Sequence, residues 1–149
     1  MIELFSRTNY LLQEENGLTP IHIDDSVSSL SAILLNDAYY QALMDGREIM
    51  RGISVLKPEW IIPFKAKAWL DLREKKDVDS SDIKKHRNDI IRIVSDMVLQ
   101  KCILPDEVRK DMEKFIEQFD VTESELKNLK IRGTKPEDIK RVLQTTYLD

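Results

Sequence analysis

Pro58-Glu59-Trp60-Ile61-Ile62-Pro63-Phe64-Lys65-Ala66-Lys67-Ala68-Trp69-Leu70-Asp71-Leu72 decides the fold class of this chain. Proline suits a first helical position, where its missing N–H would be unpaired anyway, and Glu59 favours the positive end of the helix dipole. Ile61, Phe64, Ala68 and Leu72 then recur at helical spacing and form an apolar stripe. Pro63 is expected to break or kink the segment, with helix resuming from Phe64 to Lys76. Lys65 lies beside the stripe. Its ordinary role there is to lay its stem on the core and its amine in water; the functional reading is that the amine reaches a cleft and meets a phosphate.

Helical signals continue beyond this stretch. Lys75 to Asp79 reads as a charged loop, and Ser80 or Ser81 as the cap of a helix to about Gln100, with Ile83, Ile90, Val94 and Met97 on its core face. Pro105, Asp106 and Glu107 open another helix whose stripe is Val108, Met112, Phe115 and Phe119. Thr122 with Glu125, and Thr134 with Glu137, have the spacing of capping boxes and open two short helices. Before Pro58 the signals are mixed. Ile2-Glu3-Leu4-Phe5 and Thr19 to Asp24 read as extended, Ser28 to Leu35 and Asp37 to Asp45 as helices, the latter ending at Gly46. Arg47 to Leu56 is extended again, with Gly52 permitting a turn. The class is α+β and mostly helical: a small β-sheet, a helical body and a short C-terminal helical unit. The boundary is placed near Leu104, giving residues 1–103 and 104–149.

Composition narrows the function classes. The chain has 149 residues and a formal net charge of −4, so overall charge does not point to nucleic acid, which is left open. From Lys57 to Arg92 there are ten Lys/Arg against seven Asp/Glu, a locally positive stretch that either faces solvent or faces phosphates. The single cysteine, Cys102, excludes an intrachain disulfide and a CxxC metal site. No stretch approaches a membrane span and no leader-like segment opens the chain, so a cytoplasmic location without a membrane partner is expected.

On the helix after Ser80, His86 and Asp89 are three apart and share a face. His86 also falls on the core stripe between Ile83 and Ile90, which reads as a packing histidine. Asp89 is spaced to pair with Lys85 or Arg92. There is no GxGxxG, no GxxxxGK[ST] and no nucleophile elbow.

Val55 to Leu72, followed by Asp82-Ile83-Lys84-Lys85-His86-Arg87-Asn88-Asp89, resembles bacterial nucleotidyltransferase-superfamily proteins of the AbiEii (abortive infection) type, some of them toxins of toxin–antitoxin pairs. In that family a helix of the form Leu-Ala-Glu-Lys-x-x-Ala precedes one carrying Arg-Asp-x-x-Asp. Lys65 with Ala68 matches the first, and Asp89 the closing acid of the second; Lys85-His86 stands where Arg-Asp is usual. The likeness covers roughly Met1 to Met97. It implies transfer of a nucleotidyl group from an NTP to an RNA, protein or small-molecule acceptor, with Mg2+ as cofactor. Lys65, Lys67 and Lys85 become phosphate-binding residues, Asp89 a supporting acid, and Glu3 the third carboxylate of the catalytic metal site. The family's Gly-Ser turn and Asp-x-Asp strand do not precede Glu3 in this sequence, so the chain alone is expected to be inactive, a truncated relative. The alternative is a non-enzymatic interaction module, antitoxin-like or scaffold, that forms a homodimer or takes a protein partner through its N-terminal strand.

Overall fold

The computed structural model describes Ile33 and residues 36–149. The expected strands at residues 2–5 and 19–24, most of the expected helix at 28–35, and Glu3 lie outside them. The described chain is mostly helical with a two-stranded antiparallel sheet, an α+β arrangement. Its order is α1 (Asp37–Gly46), β1 (Arg47–Met50), β2 (Ile53–Leu56), α2 (Pro58–Glu74), α3 (Ser80–Asp96), α4 (Asp106–Gln118), α5 (Glu123–Asn128) and α6 (Pro136–Tyr147).

Helix α1 starts where Asn36 caps it: its Oδ1 accepts from the N–H of Ala38 at 2.9 Å and of Tyr39 at 3.3 Å. The Asn36 amide also donates to Glu107 Oε1 at 2.7 Å, fixing the start of α1 beside the start of α4. At its other end Gly46 is required by contact, because a Cβ there would sit 2.3 Å from Cγ of Trp60. The hairpin that follows turns on Arg51 and Gly52, with φ of 52° and 79°. Two left-handed residues make the tight turn whose twist matches that of the flanking strands. Pairing runs Arg47 with Leu56, Glu48 with Val55, Ile49 with Ser54 and Met50 with Ile53.

Helix α2 is the centre of the molecule, with α1, α3 and α4 packed on it and α6 reaching α3 and α4. Burial on α2 is wider than the single expected stripe. Ile62, Phe64, Ala66, Ala68, Trp69, Leu70 and Leu72 are all buried, while Ile61 is partly exposed. A helix with neighbours on three sides buries most of its circumference. Trp69 meets Phe115 of α4 edge-on, centroids 5.2 Å apart, and Phe115 continues to Phe119 at 4.9 Å. The same buried cluster extends through Leu126 to Ile139, Leu143 and Tyr147 of α6, so residues on both sides of position 103/104 line one core.

Pro63 does not break α2. The helix passes through it, and Pro63 is fully buried. A proline removes the hydrogen bond to the carbonyl four residues back, here that of Glu59. Tyr147 supplies the missing donor: its Oη donates to the Glu59 carbonyl at 2.5 Å.

Other boundaries shift for local reasons. Asp79 caps α3 in place of Ser80 or Ser81, its Oδ1 accepting from the Ser81 N–H at 2.9 Å, as a carboxylate at the positive helix end should. The same bond holds the Asp79 carboxyl below its ordinary value. Helix α3 stops at Asp96, short of Gln100. Met97 turns extended, half of it faces solvent, and the chain leaves toward Cys102, whose N–H donates to the Thr146 carbonyl at 2.9 Å. The box expected at Thr134 and Glu137 is displaced by one residue: Lys135 caps α6 and its N–H donates to Asp138 at 3.2 Å. The Thr122–Glu125 box forms as expected.

Candidate functional site

Lys65 of α2 and Asp89 of α3 meet across the helix interface, Nζ to Oδ2 at 2.8 Å, with 27% and 29% of their side chains exposed. The pairing follows from the packing of α2 against α3. Lys65 is a partly exposed position of α2 between the buried Phe64 and Ala66, and Asp89 lies beside the buried Ile90 and Ile91. Arg92 approaches the other oxygen of Asp89 at 4.0 Å. The Asp89 carboxylate thus takes its main partner from another helix, and Lys85 is not among its ion pairs.

His86 stands one turn earlier on α3, half-buried, with its Nδ1 buried and without a hydrogen-bond partner. Burial lowers its pKa, the charges of Lys65 and Lys85 push it further down, and Asp89 and Asp82 oppose them. Its lowered pKa favours the neutral imidazole over the charged form.

Lys67 lies two residues from Lys65 and so turns toward a different neighbour. Its Nζ is 3.1 Å from Asp71 Oδ1 and 3.5 Å from Asp111 Oδ2. Burial works against its charge, but the hydrogen bonds and charges of Asp71 and Asp111 outweigh that and hold the ammonium above the ordinary lysine range. Asp111 also accepts from Tyr39 Oη at 2.8 Å. Burial first, and then Asp111, push the Tyr39 phenol upward. The set Tyr39–Asp111–Lys67–Asp71 joins α1, α2 and α4, and nothing in the sequence spacing announces it. Lys85 is exposed and forms no ion pair among the described residues. The structure therefore brings Lys65 together with Asp89, places Lys67 in a separate network, and leaves Lys85 in solvent.

An ammonium has three donors. Asp89 occupies one on Lys65, which leaves donors for a phosphate oxygen arriving from the solvent side. Among the described residues no group of three or more His, Cys, Asp or Glu side chains could hold a metal ion. The Mg2+ implied by the family resemblance finds no donor set among these residues. No helix among these residues is long and apolar enough to cross a membrane. No family model matches this chain, and neither a curated protein nor a solved structure does.

Proposed function

We propose that this chain carries the helical half of a nucleotidyltransferase-like protein of the AbiEii type, in which Lys65 contacts the phosphates of an NTP and Asp89 positions that lysine. The observation that carries the reading is the 2.8 Å contact between Lys65 and Asp89, the two residues the resemblance singles out from separate helices. Solvation alone asks for no such pairing, since a snorkelling lysine needs only water and Asp89 has Lys85 and Arg92 at helical spacing. A partly exposed ion pair contributes only about 0.2–1 kcal/mol to stability, so stability gives little reason to hold these groups together. Transfer itself would need the carboxylates of the Gly-Ser and Asp-x-Asp segment together with Glu3, and the body described here supplies the phosphate contact alone.

Calorimetric titration with ATP, GTP, CTP and UTP tests this. The expected result is binding of at least one triphosphate, weakened about tenfold or more by Lys65→Met and less by Asp89→Asn, with the melting temperature nearly unchanged. Equal affinity in wild type and Lys65→Met would remove Lys65 from the phosphate site.

A second reading, association without catalysis, draws on the hairpin. Ile49, Met50 and Ile53 are 72%, 57% and 66% exposed, large apolar side chains on a sheet of two strands. Such a sheet is marginal alone and its edges accept another strand; a second copy of the hairpin is the partner this reading names. Light scattering over a concentration series decides it: a dimer dissociated by Ile53→Lys supports it, and a strict monomer at high micromolar ends it.

A further inference from the structure

From Leu126 to Pro136 the chain carries four cations, Lys127, Lys130, Arg132 and Lys135, and no acid, within a protein of net charge −4. The fold gathers this stretch into one place. Leu129 closes α5 and Lys130 adopts a left-handed φ of 60°, with the Ile131 N–H donating back to the Leu126 carbonyl at 2.9 Å. Gly133, at φ 80°, turns the chain again before α6. The result is a cleft of about 300 Å3 lined by Lys127, Arg132 and Lys135 together with the apolar Leu126, Ile131 and Pro136; Glu123 is its one acid.

The cations of this unit divide in two. Lys140 and Arg141 are matched by Asp120 at 4.0 Å and Asp138 at 2.5 Å. Lys127, Arg132 and Lys135 of the cleft, and their sequence neighbour Lys130, have no ion pair among the described residues. The first turn of α6 is not the attraction, because Asp138 already accepts the Lys135 N–H there. What distinguishes the cleft is uncompensated positive charge around a concave surface open to solvent, with no aromatic group on which a base could stack.

We infer that the α5–α6 cleft binds the phosphate backbone of a single-stranded nucleic acid, without reading its sequence. Several separated cations suit a chain of phosphates better than one small anion, and a concave basic site is the kind of surface that tracks a single-stranded backbone. The apolar lining gives the sugar edges a dry contact, and with no aromatic group in the lining to stack a base, the expected contacts are to the backbone.

Fluorescence anisotropy with a labelled 15-nucleotide single-stranded RNA tests it, without nucleotide or divalent cation. Binding with a Kd of about 10⁻⁴ to 10⁻⁶ M is expected, and log K should fall with log[salt] by about 0.7 for each phosphate neutralised, so with a slope of roughly −2 to −3. Arg132→Glu with Lys135→Glu should weaken binding at least tenfold and flatten that slope, with unchanged circular dichroism. Lys110→Glu on α4 should leave it as in wild type. No binding at low salt, equal loss in Lys110→Glu, or equal competition by polyglutamate of matched length would each overturn the proposal.

Discussion

A buried carbonyl needs a donor, and at Glu59 the helix cannot provide one because residue 63 is proline. Tyr147 provides it from a position 88 residues away. Burial pushes the Tyr147 phenol upward, so it remains a donor across the physiological range. Tyr147→Phe is expected to cost about 1–3 kcal/mol, the penalty for leaving a buried acceptor unpaired. In a Pro63→Ala background the helix regains its own N–H at residue 63, and the same substitution should cost less by about 1 kcal/mol. Urea unfolding of the four proteins measures the coupling; strictly additive effects would sink this account of Tyr147. Pro63 was expected to break or kink the helix, yet the helix continues through it; the compensation was not legible, because a tertiary hydrogen bond has no local signature. The same limit applies at the candidate site. Helical spacing offered Asp89 the partners Lys85 and Arg92, and only the packing of α2 on α3 selects Lys65.

Among the elements, the join of α3 to the start of α5 rests on one arginine. Arg87 donates from Nη1 to Glu125 Oε1 at 2.7 Å and from Nη2 to Glu125 Oε2 at 2.9 Å, and also to the Asp120 carbonyl, while its guanidinium lies 5.6 Å from the Phe119 ring. Glu125 is at once the reciprocal half of the Thr122 capping box, accepting the Thr122 N–H at 2.9 Å. Arg87 first, aided by the box and opposed by some burial, holds the Glu125 carboxyl down to about 2. A carboxylate whose pKa is lowered by folding stabilises the native state above its unfolded pKa. That stability is present above about pH 4.5 and is lost as pH falls toward 2. With Glu125 over a third exposed, screening limits the contribution to about 1 kcal/mol. Glu125→Gln should therefore lower the melting temperature at pH 7 and lower it much less at pH 3; an equal deficit at both would assign the effect to packing. The capping box was readable in Thr122 and Glu125 because its two halves are local. Met97 shows the opposite case: its spacing continued the α3 stripe, yet the chain must leave the helix to bring Cys102 to Thr146.

For the molecule as a whole, the helix start at Pro105 and the two short helices after it suggested a C-terminal unit from about Leu104, and among the described residues one hydrophobic cluster runs from Ile33 to Tyr147. Trp69 and Leu70 of α2 are buried, and Trp69 rests against Phe115; Tyr147 seals the Glu59 carbonyl. Val108, Met112, Phe115, Ile116, Ile139 and Leu143 are each at most 2% exposed. Each such side chain contributes on the order of 1.5–3 kcal/mol by burial, and a domain's net stability is only about 5–15 kcal/mol. Among the described residues the core spans position 103/104 without interruption, so the full chain is expected to unfold as one unit. Both tryptophans, Trp60 and Trp69, precede residue 104, whereas helical circular dichroism also reports α4 and α6. The expected outcome is a single urea transition at one midpoint by both signals, and a 1–103 fragment with no cooperative melt. A fragment that melts cooperatively, or a fluorescence transition displaced from the dichroism transition, would establish two folding units meeting near Leu104 instead of one.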